Sequence, residues 1–268
     1  MRLREQGKIW LIGGTGDSAT VAQSLLASRL PCVVTVTTEA AKRLYPSSPL
    51  LTVVVGGLEE SQLGAFQRQY GILGVVDASH PFARQISELA IAFSHHSRLP
   101  YLRFERSACT TEPNEAQKGL IPLDSFDTLL NGDYLTNQRV LLTVGCQVLP
   151  RFQDWLERAT LFARILPTLN ALQTALAAGF SPDRLIALRP PIQAELEEAL
   201  WRQWEISLVV TKASGKAGGE AIKRQVAAKL GIPLIVINRP PVNYPHVTEQ
   251  IEQVIEFCQD IFTKVNYG

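Results

Sequence analysis

The strongest constraint on the fold is a series of short apolar runs that do not alternate with polar residues. They recur at Lys8–Gly13, Cys32–Thr37, Leu51–Val55, Gly74–Asp77 and Tyr101–Phe104, then at Val140–Val144, Thr160–Ile165, Arg184–Leu188, Leu208–Thr211 and Leu234–Ile237. Continuous Val/Ile/Leu runs of this length read as strands buried on both faces, and such strands belong to parallel sheets covered by helices. Most of the intervals can hold a helix, notably Glu195–Trp204 and Glu220–Leu230, whereas Thr38–Pro49 reads as loop with a short helix. The predicted fold class is therefore α/β, with two Rossmann-like domains, mainly parallel sheets and an interdomain cleft. The rhythm lapses after Arg106, a short helical stretch follows near Ser125–Leu130, and Asn131-Gly132-Asp133 signals a turn. This places the boundary near 135, giving a dinucleotide-binding domain over 1–135 and a substrate-binding domain over 136–268. Ile251, Val254, Ile255, Cys258 and Phe262 fall at helical spacing, so the chain closes on a docked helix.

Composition narrows the partners. A formal charge of +1 over 268 residues gives no global attraction to nucleic acid or to an anionic membrane. The apolar stretch Ile9–Ile12 is too short for a signal-peptide core, so a cytoplasmic location is expected. The four cysteines are far apart in sequence, which leaves no CxxC pair and predicts no metal site. The oligomeric state is open, with a monomer the simplest expectation.

In the segment 8–26 a strand runs into Gly13-Gly14-Thr15-Gly16 and then into a helix. Glycines admit a tight turn and let backbone N–H groups approach phosphate, while the helix start adds partial positive charge. The spacing Gly13-x-x-Gly16-x-x-Ala19 departs from strict GxGxxG, and a tight turn without ligand is the alternative. Read as a nucleotide site, Gly13, Gly14, Thr15, Gly16 and Asp17 meet the pyrophosphate of a nicotinamide dinucleotide, with Asp17 available to cap the helix and Thr15 or Ser18 to bond phosphate. Thr37 ends the second strand where the ribose is read. Glu39 there favours an unphosphorylated ribose, whereas Lys42 and Arg43 suit a 2′-phosphate, so NADPH and NADH both stay open.

Two further clusters follow strands. Asp77, Ser79 and His80 come directly after the fourth strand, with Pro81 suited to the first turn of a helix. Ser79 can contact the cofactor and His80 can donate a proton, against the alternative of a capping serine and a surface imidazole. In the second half, Lys212, Ser214, Gly215, Lys216 and Gly218 resemble an anion-binding loop, with a solvated loop as the alternative. A Walker A reading fails because Val210 and Ala217 stand where glycine and Ser/Thr are required. Arg189, Lys212, Lys216 and Arg239 all fall at or beyond strand ends, which suggests a polyanionic substrate. His95 and His96 lack metal-ligand spacing and read as capping or exposed residues.

The segments at 11–18, 75–83, 101–106, 141–145, 209–219 and 230–240 together resemble the precorrin-6A reductase family of corrin biosynthesis, including its cobalt-precorrin-6A branch. The resemblance runs over nearly the whole chain. It implies two Rossmann-like domains and hydride transfer to a tetrapyrrole macrocycle, with Gly13 to Asp17 on the dinucleotide and the 79–83 and 211–215 segments on the macrocycle. Arg189-Pro190-Pro191-Ile192 replaces a GPF-like element of that family, and Ala213 and Lys216 replace Asp/Asn and a second glycine. Read this way, Arg189, Ser214, Gly215, Lys216 and Arg239 bind substrate, and His80 and Lys212 are the candidate acids. A nucleotide-sugar oxidoreductase or epimerase would carry a Tyr-x-x-x-Lys pair, which is missing. A non-catalytic dinucleotide sensor would need the first turn but not the basic second-half loops.

Overall fold

The computed structural model describes residues 7–105, 119–215 and 218–267. The strands are β1 (Lys8–Ile12), β2 (Cys32–Val36), β3 (Leu51–Val55), β4 (Ile72–Asp77), β5 (Tyr101–Phe104), β6 (Leu120–Leu123), β7 (Arg139–Thr143), β8 (Thr160–Ile165), β9 (Leu185–Ala187), β10 (Leu208–Lys212), β11 (Leu234–Ile237) and β12 (Val247–Thr248). The helices are α1 (Gly16–Ala27), α2 (Glu39–Lys42), α3 (Glu60–Tyr70), α4 (Arg84–His96), α5 (Phe126–Asn131), α6 (Leu169–Ala177), α7 (Ala194–Gln203), α8 (Glu220–Leu230) and α9 (Ile251–Tyr267). They form two six-stranded sheets, ordered β12-β5-β4-β1-β2-β3 and β6-β11-β10-β7-β8-β9, in which every strand pairing is parallel.

Both orders follow one scheme. Read from β3 and from β9, each sheet runs third, second, first, fourth, fifth, with a sixth strand at the far edge, as in dinucleotide-binding sheets. The sixth strand comes from opposite ends of the chain path: β12 is contributed by the chain's return after β11, whereas β6 precedes the rest of its own sheet. The chain accordingly divides into one unit of Met1–Arg106 with Pro241–Gly268 and a second of Ser107–Pro240. The boundary near 135 and the placing of the terminal helix in the second half both differ from this division. Residues 119–131 belong to the second sheet's unit, and α9 packs on the first.

The burial pattern explains the first unit. β2 reads Cys-Val-Val-Thr-Val and is buried at every residue. One face of the sheet is covered by Val21, Ala22 and Leu25 of α1 and by Val254, Cys258 and Ile261 of α9. The other face packs Trp10, Ile12 and Val33 against Leu63, Phe66 and Ala90 of α3 and α4. Burying a side chain such as Val254 or Ile261 contributes roughly 1.5–3 kcal/mol. Cys32 and Cys258 lie in this core as free thiols, and burial pushes both up to about 12. Among the described residues no helix is long and apolar enough to cross a membrane, and no group of His, Cys, Asp or Glu is placed to hold a metal.

Candidate active site

In the first sheet the order reverses between β1 and β4, whose ends align with Ile12 opposite Asp77. The turn after β1 and the loop after β4 are therefore neighbours, at the place where open α/β sheets bind ligands. Thr15 Oγ1 donates to the Ala78 carbonyl at 3.0 Å and ties the two together.

The glycine turn divides its labour. The Gly13 N–H donates to Thr35 O at 2.9 Å, the Gly14 N–H to Tyr45 Oη at 2.8 Å and the Thr15 N–H to Ser18 Oγ at 3.0 Å. Those donors are already engaged inside the protein. Thr15, not Asp17, is the N-cap of α1: its backbone is extended and its hydroxyl accepts from the Ser18 N–H at 3.0 Å. Asp17 sits in the first turn. Ser18 is buried, with Oγ 2.6 Å from Tyr45 Oη, and so points inward rather than toward a phosphate. A Cβ on Gly13 would stand 2.3 Å from Tyr45 Oη, whereas one on Gly14 or Gly16 would meet nothing within 4 Å. The open face therefore runs from Gly14 to Gly16, at the positive end of a twelve-residue helix. The first N–H groups of such a helix have no intrahelical partner, so this face fits a phosphate.

Thr37, Lys42 and Arg43 lie beyond β2, beside this turn in the sheet order, on an exposed segment. Thr38 caps α2 by accepting from the Ala41 N–H at 3.2 Å, and Lys42 stands 4.0 Å from Glu39.

The loop after β4 rests on a buried polar cluster. Asp77 accepts from the Ser79 N–H (2.9 Å), Ser87 Oγ (2.6 Å), Tyr101 Oη (2.8 Å) and Arg103 Nη1 (2.9 Å). Arg103 Nη1 also donates to Ser79 Oγ at 3.1 Å, and Arg103 Nε to Glu105 at 3.0 Å. Burial works against the Arg103 charge, yet the Asp77 and Glu105 carboxylates outweigh it and hold the guanidinium pKa above its usual value. Burial, with the Asp77 charge beside it, pushes the Tyr101 hydroxyl up. Ser79 is thus part of an internal lock rather than an open ligand group. His80 is exposed, and its Nδ1 accepts from the Phe82 N–H at 3.1 Å, which leaves Nε2 to carry the proton of the neutral ring. Pro81 lies in a turn ahead of α4, which starts only at Arg84. His95 and His96 end that helix and are exposed.

In the second sheet the order reverses between β7 and β10. Lys212 ends β10, opposite Ile237 of β11, and Arg239 Nε donates to Ala213 O at 2.9 Å. These two cations thus share one loop cluster. Burial lowers the Lys212 pKa to about 8, opposed by Cys146, and its Nζ lies 5.7 Å from the Phe126 ring centre. The glycine loop is braced by its own helix: the Gly215 N–H donates to Glu220 Oε2 at 2.9 Å, and Lys223 Nζ donates to Gly218 O at 2.7 Å. A Cβ on Gly218 would fall 1.8 Å from Ser214 Oγ, so that glycine serves packing against Ser214. Arg189 is exposed after β9, three strands from β10, about 14 Å away at ordinary strand spacing. Lys216 lies outside the described residues.

Sequence reasoning singled out Asp77 and Ser79 but missed Arg103 as their partner, and it missed Tyr45 and the bracing by Glu220 and Lys223. The available signal was an Asp closing one apolar strand and an Arg inside another, charges that can be buried there only if paired.

The family described as precorrin-6x reductase CbiJ/CobK matches residues 8–259. The chain belongs to the precorrin-6x reductase family. A cobalt-precorrin-6A reductase of Synechocystis sp. is 47% identical to it over 94% of this chain and 95% of its own length. A precorrin-6A reductase of Rhodococcus erythropolis is 31% identical over 92% and 94%. Among solved structures, the CobK precorrin-6A reductase covers 95% of this chain and 97% of its own, with a TM-score of 0.77 at 24% identity, so the fold is shared.

Proposed function

We propose that this chain reduces one ring double bond of precorrin-6A or cobalt-precorrin-6A to the 6B form in cobalamin biosynthesis, using NADPH or NADH. The carrying observation, within a family of reductases, is the open Gly14–Gly16 face bonded through Thr15 to the loop that bears His80. When bound, a reduced nicotinamide supplies the hydride that adds to one carbon of the double bond. Gly16 and the start of α1 hold the pyrophosphate, Gly14 leaves room for its approach, and Thr37, Lys42 and Arg43 flank the ribose. The first unit takes the dinucleotide and the second unit takes the substrate.

A macrocycle rich in acetate and propionate groups calls for cations on rigid supports, and Lys212 and Arg239 meet that requirement at the ends of neighbouring strands. Ser214, Gly215 and Arg189 complete the substrate contacts. The proton that completes saturation of the adjacent carbon comes from Lys212, whose pKa of about 8 suits donation near neutrality, or from His80 in its doubly protonated form, in which Nδ1 no longer accepts from the Phe82 N–H. An anaerobic assay with metal-free and cobalt-loaded substrate against both nicotinamides tests this reading, and no cofactor oxidation in any combination overturns it. In the same assay His80→Ala or Lys212→Ala is expected to lower turnover about 10²-fold or more if that group is the acid. Unchanged turnover in both variants removes protein acid catalysis from the account.

A further inference from the structure

We propose that Tyr45 is the positioning residue that sets cofactor selectivity, by locking the segment that carries Lys42 and Arg43 onto the glycine turn; this rests on the dinucleotide reading above. The segment leaving β2 passes through α2 and turns back under the glycine turn, with the Leu44 N–H donating to Ala41 O at 3.1 Å and the Tyr45 N–H to Lys42 O at 3.2 Å. Tyr45 is thus one helical turn from the two basic residues. Its ring is buried in the core with Val34 and Ala41, and its hydroxyl emerges beneath the turn. There Oη accepts from the Gly14 N–H, and Ser18 Oγ lies 2.6 Å away. Because Ser18 Oγ donates to Thr15 O at 2.8 Å, the Tyr45 proton goes to Ser18 and its lone pair to Gly14.

One hydroxyl therefore satisfies the residue of the turn with the most unusual backbone, Gly14 at φ +102°, and fixes the start of α1 through Ser18. The same hydroxyl explains Gly13, since any larger residue would drive a Cβ into it. The distance between the phosphate face and the Lys42–Arg43 pair is set through this contact. A cofactor carrying a 2′-phosphate spans both elements, whereas one without it engages the basic pair weakly. Loss of the hydroxyl should therefore cost the phosphorylated cofactor more.

The test is calorimetric binding of NADP⁺ and NAD⁺, with no turnover involved, to wild type, Tyr45→Phe and Gly16→Val. Tyr45→Phe keeps the ring in the core and is expected to weaken NADP⁺ about five- to tenfold, the worth of one buried hydrogen bond, and NAD⁺ by less. A purely structural loss would lower both affinities equally, so an unchanged NADP⁺/NAD⁺ ratio overturns the proposal. Gly16→Val fills the open face and is expected to abolish binding of both. If it leaves binding intact, the dinucleotide does not use this turn, and the reading beneath the proposal falls with it.

Discussion

Arg103 and Asp77 illustrate how single residues can be visible in a sequence while their meaning is hidden. Arg103 interrupts one apolar strand and Asp77 ends another, and each is essentially inaccessible, with side chains 1% and 0% exposed. Their pairing follows from β4 lying beside β5 with Asp77 in register with Arg103, a fact of sheet order that composition does not carry. The cluster exists because a buried carboxylate tolerates desolvation only when its lone pairs are filled, and Asp77 has four donors to fill them. Arg103→Met removes one donor and the compensating charge. It is expected to cost about 3–5 kcal/mol in urea unfolding, since Asp77 is left as an uncompensated buried charge. Asp77→Asn combined with Arg103→Met should recover part of that loss, because the neutral amide no longer needs the guanidinium. If the double variant is as unstable as the sum of the singles, the two residues are not coupled and the lock is misassigned. The glycine turn was legible in the same partial way. Its position between strand and helix was plain, but the inward use of Gly13 and Ser18 depended on Tyr45, a residue that the linear spacing does not connect to the turn.

At the level of elements, most strands were readable because burial on both faces writes itself as continuous apolar sequence. The exceptions have physical reasons. β6 contains Pro122 and β12 is two residues long, and both occupy sheet edges, where a proline is tolerated and a short strand suffices. α8 was readable as a helix, but not as the brace of its own preceding loop. Its residues Glu220 and Lys223 reach back to Gly215 and Gly218, while Glu197 of α7 holds Arg164 of β8 and Trp201. Burial pushes the Lys223 pKa down to about 8; Arg164 adds to this, and Glu197 and Glu220 oppose it. The unfolded chain keeps that proton until about 10.5, so between about 8 and 10.5 the unfolded state binds more protons than the folded one. Folding stability attributable to Lys223 therefore rises with pH across that window and is flat below it. Urea titrations of wild type and Lys223→Met at a series of pH values should give curves that run parallel below pH 8 and diverge above it, wild type gaining. Parallel curves throughout would mean that Lys223 is not held away from its ordinary pKa.

At the scale of the whole molecule, the exchange of sixth strands makes the two units interdependent in sequence though each has its own sheet. The first unit takes β12 and α9 from the end of the chain, and the second takes β6 from the segment just after β5. A cut at 135, where the hydropathy rhythm invites one, therefore leaves the first sheet without the helix that supplies Val254, Cys258 and Ile261 to its core. The same fragment also retains β6 without β11, its hydrogen-bonded partner. Losing two such apolar side chains forfeits roughly 3–6 kcal/mol at 1.5–3 kcal/mol apiece, comparable to the net stability of many domains. Residues 1–135 expressed alone should thus lack cooperative unfolding and bind a hydrophobic dye. Residues 1–105 joined by a flexible linker to 241–268 restore both the β5–β12 pairing and the α9 packing, and this shorter fusion should unfold cooperatively in urea. Because it contains the glycine turn, Tyr45, Lys42 and Arg43, it should also retain nicotinamide dinucleotide binding by calorimetry. Cooperative unfolding of 1–135 would show that α9 is dispensable to the first sheet, and failure of the fusion to fold would show that the units are divided elsewhere.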